Sequence, residues 1–101
     1  MLQGVRAVVS AADVRRLAPE PLPDISRIGE GADSTAYRAG GLVIRASRRS
    51  EVAEHMRFEM KLLERLRGRL PLRIPAPAWL EVQDGIALMA HHYEPGARHT
   101  F

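Results

Sequence analysis

Cysteine is absent from the 101 residues. That excludes disulfides and thiolate metal sites, and it fits a reducing cytoplasm. Lysine is almost absent as well: Lys61 stands alone beside 14 arginines, and the net charge is only +3. Aromatic residues make up 5%, too few to interleave with the arginines as a platform for bases. A mildly basic surface is therefore expected, with nucleic-acid binding as a lesser reading. No apolar run approaches the ~20 residues of a membrane span, and the opening MLQGVRAVVSAADVRR holds no signal-peptide core. A cytoplasmic protein with no membrane partner is expected.

What is present is ordinary globular composition, 46% hydrophobic and 27% charged, enough for one modest core. Ser10 and Asp13 have capping-box spacing before a short helix, Ala11–Leu17. Pro19, Pro21 and Pro23 then enforce an extended linker. The stretch Ile28–Arg45 reads as strand, glycine turn, strand, Gly40-Gly41 hairpin and strand. Strands are expected over Ile25–Ile28, Thr35–Ala39 and Leu42–Ala46. The last lacks alternation, which predicts burial on both faces. The first turn, Gly29-Glu30-Gly31-Ala32-Asp33-Ser34, is a G-x-G-x-x-S pattern. Missing side chains at two positions let a backbone approach a phosphate, although most such turns only join strands.

Ser50 is a candidate N-cap for the strongest helix, Glu51–Arg67, which has acids in its first turn, arginines in its last and Gly68 beyond. Val52, Met56, Leu63 and Leu66 form its apolar face, widened by Phe58, Leu62 and Met60. Glu59 falls within that face. A carboxylate there needs a cation from a facing element, unless a small rotation of the helix brings it to a rim. The proline-rich Leu70–Ala78 reads as an extended connector. Trp79–Gln83 and Ile86–His91 then pair through Asp84-Gly85. The expected fold is α+β: a five-stranded antiparallel sheet, one long helix on one face, and a short N-terminal helix.

Other chemistries find less support. His91 and His92 are adjacent on a strand and point to opposite faces, so they do not share a metal ion. Arg65, Arg67, Arg69 and Arg73 sit where solvated, dipole-favoured arginines are common. No serine has the setting of an activated nucleophile.

The order of elements resembles the small N-terminal lobe of kinase-like phosphotransferases, and most closely the aminoglycoside phosphotransferase family. The residues that carry the resemblance are Gly29 and Gly31, Val43-Ile44-Arg45, Phe58-Glu59 with Leu63 and Leu66, the prolines of 70–77, and Leu88-Met89 running into Glu94-Pro95-Gly96. It implies a division into an N-terminal helix and linker (1–24), a kinase-like lobe (25–93) and the start of a linker to a larger lobe (94–101). It also implies ATP or GTP with Mg²⁺ as cofactor, and a hydroxylated acceptor. Gly29, Gly31 and Ser34 would cover the phosphates, and Arg45 would touch them while pairing with Glu59. Met89 would lie beside the purine, and main-chain groups at Ala90–His92 would bond its edge. The chain departs from the kinase pattern mildly, with Arg45 in place of a lysine and Ser34 in place of the third glycine. It departs more seriously in its four aspartates, Asp13, Asp24, Asp33 and Asp84, which lack a His-x-Asp-x4-Asn setting. Phosphoryl transfer by these residues alone is not expected. A non-catalytic module that dimerises, or docks a larger lobe through an exposed apolar face, is the alternative.

Overall fold

The computed structural model describes residues 9–31, 34–66 and 77–93. The described residues form helix α1 (Ala11–Leu17), strands β1 (Ile25–Glu30), β2 (Thr35–Ala39) and β3 (Leu42–Ser47), helix α2 (Ser50–Leu66), and strands β4 (Pro77–Gln83) and β5 (Ile86–His92). All strand pairs are antiparallel, in the order β1-β2-β3-β5-β4. The chain is α+β, as its pattern predicts. The expected connector from Leu70 falls largely outside the described residues. So do Arg67, Gly68 and the turn at Glu94–Gly96.

The central strands of the sheet are buried on both faces. Residues 42, 44 and 46 of β3 and 86, 88 and 90 of β5 point one way, while 43, 45 and 47 and 87, 89 and 91 point the other. On the first face, Tyr37, Ile44, Leu88 and Ala90 meet Val9, Val14, Leu17 and Leu22 in one core cluster. On the second, Ala87 and Met89 meet Ala53 and Met56, with Val52, Met60, Leu63 and Leu80 packed alongside. The N-terminal segment is thus the cover of the larger core. Ser10 accepts the Asp13 N–H at 3.1 Å, as the capping spacing predicts. Arg15 donates to the Leu22 carbonyl at 2.8 Å, which holds the proline linker against the helix. The Tyr37 hydroxyl donates to the Val9 carbonyl, tying the segment to β2. Asp13 also pairs with Arg16 at 3.1 Å and Arg48 at 3.0 Å. The Arg16 hydrogen bond holds the Asp13 carboxyl below its ordinary range.

Both predicted hairpins form. Asp84 and Gly85 have positive φ, 53° and 75°, as an Asp-Gly two-residue loop requires. In the other, only Gly40 is left-handed, with φ of 59°. A Cβ on Gly40 would also meet Pro23 Cγ at 2.9 Å, whereas one on Gly41 would meet nothing within 4 Å. Gly40→Ala is therefore expected to cost about 1–3 kcal/mol. Gly41→Ala should cost clearly less; paired thermal melts check the difference.

Three local expectations are corrected. β1 runs on through Gly29 and Glu30, with an irregularity between Arg27 and Gly29. The glycine turn is consequently shorter than its motif. Ser50 opens α2 from inside it, and the Arg49 carbonyl accepts from Val52 and Ala53 at 3.1 and 3.2 Å. Finally, Phe58 and Leu62 do not widen the buried face. They are 68% and 41% exposed, because the stripe centres on Ala53, Met56, Met60 and Leu63.

Candidate functional site

The register of the sheet brings several predicted residues into one lateral row. Gly29 pairs with Ala36, Ala36 with Arg45, Arg45 with Met89, and Met89 with Leu80. With strands ~4.8 Å apart, the Gly29 and Arg45 backbones are roughly 10 Å apart. All five residues belong to the face that carries α2. That helix packs on β4 and β5, so Arg45 stands at its border. Towards α2 it meets Glu59 and Met89; towards β1 the row continues with the two smallest residues, Ala36 and Gly29.

The Arg45–Glu59 pair closes at 2.7 Å, with side chains 17% and 41% exposed. Glu59 thus does both things the sequence left open: it finds a cation, and it does so at the rim. The rotation that exposes Phe58 moves Glu59 off the centre of the apolar stripe. The same Arg45 Nη2 donates to the Met89 sulfur at 3.3 Å. Arg45 Nε is buried and has no hydrogen-bond partner. A guanidinium carries five N–H donors in a fixed fork, so Arg45 keeps donor capacity directed at something other than Glu59.

The remaining predicted residues are placed less simply. The Gly31 N–H donates to the Ser34 carbonyl at 2.8 Å, closing the turn on itself. In this conformation that amide is committed within the turn; Ala32 and Asp33 lie outside the described residues. Ala90 projects into the opposite core, and its backbone faces Ile44 on one side and Trp79 on the other. β5 is an interior strand here. Towards its end His91 lies opposite Pro77, which has no N–H, and His92 pairs with Leu42. His92 is exposed, while His91 is buried on the Arg45 face. The two histidines take opposite faces, as adjacent strand residues must.

One contributor escaped the sequence reading. Arg38 pairs with Val43 and Ser26, one row along the same face. Its guanidinium lies 3.9 Å from the centroid of the Tyr93 ring, and Nε donates to the Gly40 carbonyl at 2.9 Å. The signal was available as strand parity with Ala36, since alternate residues share a face. The stacking on Tyr93 was not, because it depends on β5 inserting beside β3. Ala36 and Val43 between the two arginines are themselves buried. The arrangement offers two guanidiniums on one sheet face, one clamped by a helix carboxylate, with small residues beside it. No protein-family model and no curated protein matches the chain.

Proposed function

We propose that this chain is the nucleotide-binding lobe of a cytoplasmic small-molecule kinase of the aminoglycoside phosphotransferase kind. In such an enzyme the γ-phosphate of ATP or GTP passes to a hydroxylated acceptor. The observation that carries the reading is the ion pair at 2.7 Å between Arg45 on the third strand and Glu59 on the long helix. It joins the two elements that the resemblance says must be joined. The contacts to Glu59 and Met89 both use Nη2, so the fork keeps donor capacity that supports an oxyanion as ligand.

Within this proposal each residue has a limited task. Arg45 holds a phosphate oxygen through its remaining donors, and Glu59 fixes the direction of its fork. Met89 sets the wall beside the base, and the end of β5 at His92 offers main-chain groups to the base edge. Gly31 and Ser34 must exchange their mutual hydrogen bond for one to phosphate if the turn is to close over it. Bound Mg²⁺ would neutralise phosphate charge. No group of three or more potential ligands for it occurs among the described residues. Binding of the nucleotide, rather than transfer of its phosphate, is what these residues can perform.

Titration with Mg-ATP and with Mg-GTP, followed by amide NMR, tests this. Shifts are expected at Gly29, Gly31, Ser34, Ala36 and Arg45 in the millimolar range. Arg45→Met should weaken binding about tenfold or more, the loss of one charged hydrogen-bonding group to phosphate. Absence of any shift at millimolar nucleotide, or shifts confined to α1, would overturn the reading.

A further inference from the structure

The outer face of α2 carries two large apolar side chains turned to solvent, Phe58 at 68% and Leu62 at 41% exposure. They are four residues apart, so they form one continuous strip. Glu54 and Arg65, both exposed, flank it. Eleven residues separate these two charges. At ~100° per residue they fall within about 20° of each other on the helix circumference, on the same side of the strip. Neither has an ion-pair partner among the described residues. A depression of about 510 Å³ beside Phe58 is lined there by Phe58, Lys61, Leu62, Glu64 and Arg65.

We propose that this face pairs antiparallel with the same face of a second copy of the chain. The occupant follows from the strip's own symmetry. Turned end over end about Met60, Phe58 meets Leu62 and Leu62 meets Phe58. The same turn brings Glu54 level with Arg65, and Arg65 with Glu54, to within one residue. An antiparallel two-fold keeps each flank on its own side of the strip, so both ion pairs form together. Knob and hollow lie on one surface, as an isologous contact requires. A parallel pairing sets Glu54 level with Glu54 and Arg65 level with Arg65, which loses the attraction. The interface is small, so it is a weak, reversible one. It does not rest on the nucleotide reading, which uses Arg45 and Glu59 at the sheet-facing border of the helix.

Sedimentation of the full chain, from about 10 µM to 1 mM, where small interfaces associate, tests the pairing. The wild type is expected to pass reversibly from monomer to dimer. Glu54→Arg and Arg65→Glu should each weaken the dimer about tenfold or more, since each sets like charges face to face twice. The two changes in one chain should restore it, as should mixing the two single variants. Phe58→Asp should be monomeric throughout. All these positions are exposed, so circular dichroism should show the fold unchanged. A wild type that stays monomeric at 1 mM overturns the proposal. So does a dimer indifferent to the charge exchange, because that places the contact elsewhere.

Discussion

Deletion of residues 1–24 is expected to abolish cooperative folding. The deleted segment supplies Val9, Val14, Leu17 and Leu22, each no more than 7% exposed. Burial of four such side chains contributes roughly 6–12 kcal/mol, which is as large as the whole stability of a typical domain. Their loss also bares Tyr37, Ile44, Leu88 and Ala90 on the central strands, and it removes the carbonyl that accepts from the Tyr37 hydroxyl. The opposite face cannot compensate, since its cluster is small and built largely on Ala53, Ala87 and methionines. A thermal melt by far-UV circular dichroism should therefore show no sigmoidal transition for residues 25–101. Leu17→Ala in the full chain should cost about 2–4 kcal/mol and keep the transition. A truncated chain melting within a few degrees of the full one would show that α1 is merely appended.

The second large effect is a split between stability and binding at Arg45 and Glu59. Glu59→Ala strands a guanidinium whose side chain is only 17% exposed and whose Nε already lacks a partner. The expected loss is about 1–3 kcal/mol. It falls below the 3–5 kcal/mol of a fully buried pair because Glu59 is 41% exposed. Arg45→Met should behave differently. It removes the stranded nitrogen and adds a flexible apolar chain beside Met89. Glu59 then loses its partner, but its carboxylate is 41% exposed and turns to solvent, so the cost stays below that of stranding the more buried guanidinium. The same change removes the phosphate ligand. Chemical denaturation should thus rank Arg45→Met near the wild type and Glu59→Ala below it, while nucleotide titration ranks Arg45→Met lowest.

Much of the fold was readable because the strong local signals agree with one another. Asp84-Gly85 and Gly40-Gly41 have no competing interpretation, and the apolar runs at Val43-Ile44 and Ile86–Ala90 demand cover on both faces. That the N-terminal segment packs across the domain is a fair expectation from its short capped helix and proline linker; which side chains supply the cover was not readable. Val9, Val14 and Leu17 are too few to show a helical period, and only the tertiary fold turns them onto β3 and β5. The phase of α2 departs from its hydrophobic pattern for a related reason. Ala53 counts for little in a hydrophobicity pattern, yet a small side chain lets the helix approach the sheet most closely. Centring the stripe on bulky residues drew Phe58 and Leu62 inward and Glu59 to the middle. At the site, the charge on Glu59 pointed correctly to a cation from another element. The row that links Gly29 to Arg45 and Met89 needed the register of three strand pairs, which pairing across a helix-long crossover hides from the sequence.

The Arg45 Nε–H resonance measures the central claim most directly. It belongs to a buried donor without a partner, beside the Glu59 pair and the Gly29–Ala36 half of the row. On titration with Mg-ATP it should shift, because the guanidinium to which it belongs gains a charged acceptor at its outer nitrogens. AMP and adenosine should move it progressively less. An Arg45 Nε–H that stays in place while amides elsewhere respond to ATP would contradict the account, because the nucleotide would then be bound without the residue the site is built on.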